Sequence, residues 1–328
     1  MNRRELLFAS SAMLAAPALV FAQSAGKVWR VGYLSLASPE ADRQWLEALR
    51  QGLRTLGYVE GQNLVLEIRH ARQQLSKVSA LAAELARREV VVMVVYGSPA
   101  VAVVNSTLPE MAVVMAAHAD PVGTGVVASM ARPGGRVTGF TDGHADLAPK
   151  RLEILKEAVP SVSRVAVMLN PATLHAGRQL KLLQAAAPKL GVAIVPIELK
   201  SPDEIERSFE TIVKERANAV FYVPDPTWST VGHMPRIANL AIKYRLPGIG
   251  TVREFADSGV LLAYGTNFTD LWRRTATYVD KILKGANPAD LPIEHPTRFD
   301  LVINLKTAKA LGITIPPSVL LRASDEIR

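Results

Sequence analysis

Four short stretches of this chain share one form: an apolar run, a polar residue, then a proline. They are Gly97-Ser98-Pro99, Ala119-Asp120-Pro121, Leu169-Asn170-Pro171 and Pro224-Asp225-Pro226. A proline in the first turn of a helix fixes its backbone and leaves neighbouring N–H groups without intrahelical partners. Such a helix start favours an anion through both its donors and its dipole. Ser98 adds a hydroxyl donor, which suits a carboxylate. Asp225 presents a carboxylate instead, which suits an ammonium group. Taken singly, each stretch is also an ordinary helix cap, and an Asp before proline, as at Asp120, commonly shapes a turn. What lifts Ser98 and Asp225 above that reading is that they fall at equivalent points of an internal repeat.

Aromatic residues near the ends of apolar runs could add a slot for a flat or apolar group. Tyr33, Tyr96, Trp228 and Tyr264 are so placed, Tyr33 and Trp228 best of all, whereas Trp45 and Trp272 fall within helical patterns and are expected in the core. The candidate ligand contacts are therefore Ser98, Asp225, Tyr33, Gly97, Pro99, Asp120, Asn170 and Trp228. An enzymatic reading is weaker. Tyr96-Gly97-Ser98-Pro99-Ala100 places a serine on a strand-to-helix turn, but lacks glycine two residues to either side, where a nucleophile elbow needs it. A triad would have to recruit Asp225 and either His233 or His295 on chain order alone. The six histidines show no ligand spacing and the chain has no cysteine, so neither a metal nor another cofactor is expected.

The elements that must position these residues come in two copies. Trp29-Arg30-Val31-Gly32-Tyr33-Leu34 opens the first and Ser163-Arg164-Val165-Ala166-Val167-Met168 the second, an offset of 134 positions shared by Leu56-Gly57 and Leu190-Gly191. The run ending in Gly97-Ser98-Pro99 and the run ending in Pro224-Asp225-Pro226 are offset by 127. Within each copy, strands alternate with amphipathic helices, and runs such as Val90 to Val95 read as strands buried on both faces. A helix is expected from Val122 to Ala131, a strand from Arg136 to Phe140, a long helix from Thr269 to Leu283 and a strand from Asp300 to Asn304. This alternation implies an α/β protein of two Rossmann-like lobes with parallel sheets. Ligands of such sheets bind at the carboxyl ends of the strands, here a cleft between the lobes.

Composition agrees. Apolar residues make up 49% of the 328 and aromatics only 6%, rich in Ala, Val and Leu. The formal charge of +8 comes from basic residues scattered beside acids, as with Arg207 near Glu204 and Glu210. That is a solvated surface rather than a nucleic-acid stripe. Met1-Asn2-Arg3-Arg4 followed by an Ala-rich apolar stretch to Ala22 reads as a signal peptide of residues 1–22, cleaved before Gln23, and is too short and interrupted for a membrane span. Arg3-Arg4 ahead of two leucines fits twin-arginine export as well as the Sec route. Without cysteine no lipid can be attached at the new N-terminus, so a free periplasmic protein, acting as a monomer, is expected.

Several longer stretches carry a family resemblance. Asp120-Pro121-Val122-Gly123, Val126 through Gly135 (VVASMARPGG) and Val137-Thr138-Gly139 resemble the signature of ABC-transporter substrate-binding proteins of the tryptophan/tyrosine type. So do Leu56 through Leu64 (LGYVEGQNL), Lys150 through Lys156 (KRLEILK), Arg253-Glu254-Phe255-Ala256, Tyr278 through Gly285 (YVDKILKG) and the tail from Phe299 to Pro317. The resemblance implies the type I periplasmic-binding-protein fold, with a three-stranded hinge crossing near Thr141 to Asp146, Gly265 to Thr269 and His295 to Arg298. The lobes would then comprise residues 28–143 with 267–296, and 144–266 with 297–328. It implies a receptor for a small amino-acid-like or aromatic solute that delivers it to the membrane subunits of an ABC permease. Members binding aromatic amino acids resemble this chain at Ser98 and Asp225, for the ligand carboxylate and amine, but carry Asp-Asn where this chain has Asp225-Pro226. A receptor that docks on a sensor kinase fits the same features.

Overall fold

The computed structural model describes residues 27–173, 175–225 and 232–328. The proposed signal peptide, Pro226 and Trp228 lie outside them. Two sheets organise the chain. The first comprises β1 (Trp29–Ser35), β2 (Leu64–His70), β3 (Val92–Tyr96), β4 (Ala112–His118) and β5 (Val137–Thr141), all parallel, in the order β2-β1-β3-β4-β5. Helices α1 (Arg43–Thr55), α2 (Val78–Arg87) and α3 (Ser98–Thr107) alternate with the first strands. Successive residues of β3 feed opposite faces: Val92 and Val94 pack with Leu49 and Leu53 of α1, Met93 and Val95 with Leu85 and Val101 of α2 and α3. Burial on both faces is why these strands read as unbroken β-branched runs.

The second lobe repeats the plan with α4 (Ala148–Ala158), β6 (Arg164–Leu169), α5 (Ala176–Ala186), β7 (Ala193–Glu198), α6 (Ile205–Lys214), β8 (Ala219–Tyr222), α7 (Met234–Lys243), β9 (Gly248–Gly250), α8 (Arg253–Asp257) and β10 (Leu262–Thr266). Its strands run β7-β6-β8-β9-β10, the order of the first sheet again. The repeated Leu-Gly pairs do the same work in both copies. Gly57 and Gly191 each end a helical segment with positive φ (+90° and +63°), a backbone state that costs other residues more.

After β10 comes α9 (Phe268–Leu283), then β11 (Phe299–Asn304), α10 (Leu305–Leu311), α11 (Pro317–Leu320) and β12 (Asp325–Ile327). Strands β11 and β12 extend the second sheet beyond β10, but β11 is antiparallel to β10 (Leu262 opposite Ile303, Thr266 opposite Phe299). The wholly parallel sheet expected from the alternation is corrected at this edge. The chain re-enters the second lobe beside Thr266, where β10 ends, so its next strand must run the other way.

The chain passes between the lobes three times. It leaves the first sheet after β5 and enters the second lobe with α4, whose Leu152 and Leu155 join the core around Val165 and Phe221. It returns after β10 with α9, whose Leu271, Trp272 and Val279 join Leu49 and Val31 in the first lobe. It passes back before β11, where Glu294 bridges Phe140 and the Asn267 N–H donates to the Arg298 carbonyl (3.0 Å). Each lobe is thus completed by a helix that follows the other lobe's fifth strand.

One expected helix is absent. Residues 122–131 form a series of turns, with the Gly125 N–H on the Val122 carbonyl and the Val127 N–H on the Pro121 carbonyl. Gly125 and Gly134 both take positive φ (71° and 77°), and Asp120 Oδ1 accepts the Gly123 N–H at 2.8 Å. Apolar spacing alone suggested a helix. Glycine flexibility and a side chain that competes for backbone donors break it.

Candidate functional site

All the polar strand-end residues fall at the carboxyl edges of the two sheets, as the βα connections require. In the first lobe Gly97 has φ +105°, and a Cβ there would come within 2.9 Å of the Leu36 Cβ, so the turn after β3 needs glycine on both counts. Ser98 then begins α3 and Pro99 follows, exposed. The Ala119 N–H donates to Ser98 Oγ at 3.0 Å, tying the ends of β3 and β4 together. Asp120 folds its carboxylate back onto Gly123, in the turn-shaping role open to an Asp before proline. The Asp120 N–H donates to His118 Nδ1 (3.1 Å), which fixes the ring proton on Nε2. Burial pushes the His118 pKa down, keeping this fully buried ring neutral.

In the second lobe Asn170, Thr173 and Asp225 meet. Asn170 Oδ1 accepts the Ala172 N–H (3.0 Å) and its carbonyl accepts the Thr173 N–H (3.0 Å). Thr173 Oγ1 donates to Asp225 Oδ2, and Asp225 is only 3% exposed. Ser98 and Asp225 therefore follow equivalent strands, β3 and β8, one in each lobe. No imidazole is hydrogen-bonded to Ser98 among the described residues; the partner of its Oγ is a backbone N–H.

Tyr33 sits elsewhere than expected. It is fully buried inside the first lobe, and its phenol donates to Asp42 Oδ2 (2.9 Å) while His70 Nε2 lies 2.9 Å from Oδ1 of the same carboxylate. Burial, with Asp42 adding to it, raises the Tyr33 pKa well above its ordinary value. A side chain so enclosed cannot wall the cleft. That place is taken by Trp45, which was expected in the core. Trp45 packs against Tyr96, Phe268 and Trp272 with centroids 5.2, 5.3 and 5.1 Å away. Its spacing to Leu49 and Leu53 matches a buried stripe, but it lies in the first turn of α1, beside the carboxyl edge of the sheet. Position along the helix, rather than around it, is the signal that would have found it.

Trp45 and Phe268 line a cavity of about 120 Å³ between the lobes. Gln44 and Trp45 come from the first lobe, Asn267 and Phe268 from the second crossing, and Thr251, Glu254 and Asp300 from the second lobe. None of the eight residues singled out from the sequence lines it among the described residues. Thr251 is fully buried, and its Oγ1 has no hydrogen-bond partner among the described residues. Asn267 caps α9 by accepting the Asp270 N–H (2.7 Å) and donates to Asp300 Oδ1 (3.1 Å). Gly265 lets β10 lie close against the main chain of Thr251: a Cβ there would lie 1.8 Å from the Thr251 carbonyl oxygen.

Beside the cavity the crossings are fastened by buried polar groups. The guanidinium of Arg151, fully buried on α4, donates from Nε to the Tyr264 carbonyl (2.7 Å) and from Nη1 to the His144 carbonyl (3.1 Å), joining the first crossing to the second. Burial lowers its pKa to about 9, against the opposing pull of Asp142. The His144 ring meets Phe268 edge-on at 5.7 Å, and burial pushes its pKa down to about 4. Thr266 Oγ1 completes the joint by donating to the Asp142 carbonyl (2.6 Å). Among the described residues no cluster of side chains could hold a metal ion, and no helix is long and apolar enough to cross a membrane.

Comparison with known proteins places this architecture. Residues 31–327 match the profile of a family described as ABC transporter substrate binding protein. A crystal structure of a conserved domain protein from Vibrio cholerae is 27% identical, with a TM-score of 0.80 over 92% of this chain and 100% of that one. The structure of an ABC domain in complex with L-Trp from Streptococcus pneumonia is 26% identical, with a TM-score of 0.81 over the same shares of the two chains. A curated relative, a tyrosine-binding protein of Clostridioides difficile, is 23% identical over 80% of this chain and 75% of its own length.

Proposed function

The chain belongs to the ABC transporter substrate-binding protein family, and from that premise we propose that it captures a small amino-acid-like or aromatic solute between its lobes and hands it to an ABC permease. The family and its fold are those of non-catalytic receptors. The observation that carries the finer reading is the cavity itself, lined by both lobes and by the chain that crosses between them. A solute held there touches both jaws at once. It therefore favours closure by its differential affinity for the closed state. Transport needs that two-state signal, because the permease must tell loaded receptor from empty.

The polar strand ends supply orientation. Ser98 has its oxygen engaged by Ala119, which leaves the hydroxyl hydrogen to a solute carboxylate at the start of α3. Asp225, held by Thr173, offers a buried negative charge to an ammonium. The aromatic faces of Trp45 and Phe268 suit a flat body. A relative named tyrosine-binding protein and another solved in complex with L-Trp support an aromatic amino acid or a close analogue, while Pro226 removes the amide carried by aromatic-binding members. The basic, Ala-rich residues 1–22 support export to the periplasm.

A thermal-shift screen of the purified protein over amino acids, aromatic acids and nucleosides tests this reading. A solute present at a hundredfold excess over its Kd adds about 2.7 kcal/mol, which raises the melting temperature by roughly 4 °C for a chain of this size. The same solute should shrink the radius of gyration in solution scattering. A panel without any stabilising solute, or binding without compaction, would overturn it.

A further inference from the structure

Asp42 is fully buried and stands at the N-cap of α1. An aspartate there ordinarily turns its carboxylate onto the free N–H groups of the first turn. This one does not. Its Oδ2 accepts the Tyr33 phenol of β1 (2.9 Å), and its Oδ1 lies 2.9 Å from Nε2 of His70, the last residue of β2. The main chain of the same residue holds the helix instead: its carbonyl accepts the N–H of Trp45 (3.0 Å) and of Leu46 (2.9 Å). Two strands and the start of α1 are thereby tied at one point. The residues two and three places further on, Gln44 and Trp45, line the cavity.

The cluster also reaches the aromatic wall from its other side. Against the upward push of burial, the indole N–H of Trp272 on α9 lowers the Tyr33 pKa, so it faces the phenol oxygen, though not at hydrogen-bond geometry. Trp272 in turn packs on Trp45, Tyr96 and Phe268, with centroids 5.1, 5.1 and 5.7 Å away. We propose that Asp42, with Tyr33 and His70 as its partners, is a positioning residue for solute binding: it fixes the first turn of α1 so that Trp45 stands at the cavity before a solute arrives. A buried carboxylate needs donors, and two of them from neighbouring strands leave it one orientation. A wall already in place costs the solute no side-chain ordering, whereas a loose Trp45 would have to be ordered on binding. This inference rests on the receptor reading above and names the residues that set its aromatic wall.

Fluorine NMR of the purified protein labelled with fluorotryptophan reports Trp45 directly, its line identified among those of the four tryptophans by its loss in Trp45→Phe. Without solute, wild type should give one sharp Trp45 line. Tyr33→Phe, which removes only the phenol oxygen, and Asp42→Ala should each broaden or split that line and leave the Trp29 line in place. Asp42→Asn keeps an oxygen for the Tyr33 hydroxyl and should restore most of the sharpness. Should Asp42→Ala fail to fold, Tyr33→Phe and His70→Ala decide. In calorimetry with L-tryptophan and L-tyrosine, or with the tightest solute of the broader screen where neither binds, Tyr33→Phe should weaken binding about three- to tenfold, the cost of ordering one freed side chain. An unchanged Trp45 line in the folded variants overturns the assignment, as does wild-type affinity in a variant whose Trp45 line has broadened. If the line broadens as expected but no solute binds the wild type, the receptor reading falls and the hold of Asp42 on Trp45 stands.

Discussion

His144 sits where the first crossing packs against Phe268 and near Arg151, and its neutral state belongs to the fold. With the folded pKa at about 4 and the unfolded value near 6.5, the imidazole is uncharged in both states above pH 6.5, where its contribution is fully present. As pH falls through 6.5 the unfolded chain takes up a proton that the folded ring refuses, so stability declines until about pH 4. The loss is at most about 3 kcal/mol, and His118, pushed the same way, adds to the slope. Urea unfolding of wild type and His144→Gln across that range should give a shallower pH dependence in the variant; identical slopes would remove His144 from the account. Asp225 makes a different residue-scale claim. Asp225→Asn keeps an oxygen for the Thr173 hydroxyl but loses the charge, so the affinity for an ammonium-bearing solute should drop tenfold or more while the melting temperature barely moves. An unchanged Kd by calorimetry would refute its role. Ser98 and Asp225 could be picked out because strand-polar-proline is a local pattern. Trp45, Thr251 and Glu254 could not, because what makes them a cavity is the approach of two lobes, which no local pattern records.

Between elements, α1 fits closely against α9. A Cβ on Gly52 would lie 2.4 Å from the Arg273 carbonyl oxygen and 2.8 Å from the Ala276 Cβ, so the helices meet almost backbone to backbone. Gly52→Ala should gain up to about 1 kcal/mol of helix propensity. The clash is with main chain that cannot rotate away, and overpacking of that kind costs typically 1–3 kcal/mol. A net fall in melting temperature is expected, with α9 displaced from the first lobe; a more stable Gly52→Ala would show that the contact is looser than drawn. The sequence hinted at α9 through its length and its end at Gly285, and at α1 through its leucine stripe, but nothing in either says that one covers the other. The turns at residues 122–131 failed to read for the opposite reason. Val122, Val126 and Met130 have helical spacing, yet Gly123, Gly125 and the Asp120 side chain decide the backbone.

At the scale of the whole molecule, the offsets between the two copies translate into one strand order used twice, with Ser98 and Asp225 at matching positions. That much was legible because an apolar run and its stop signal leave the same trace wherever they occur. The antiparallel β11 was not, because its direction depends on where the chain re-enters the lobe. The exchange of α4 and α9 has a consequence for how the protein is made. The first lobe lacks a face of its core until residues 268–283 have emerged, and the second lacks β11 until the chain has passed back again. Neither half is a self-sufficient folding unit during synthesis, so collapse to the native core waits for nearly the entire polypeptide. A chain built this way stays without a finished core for most of its time on the ribosome.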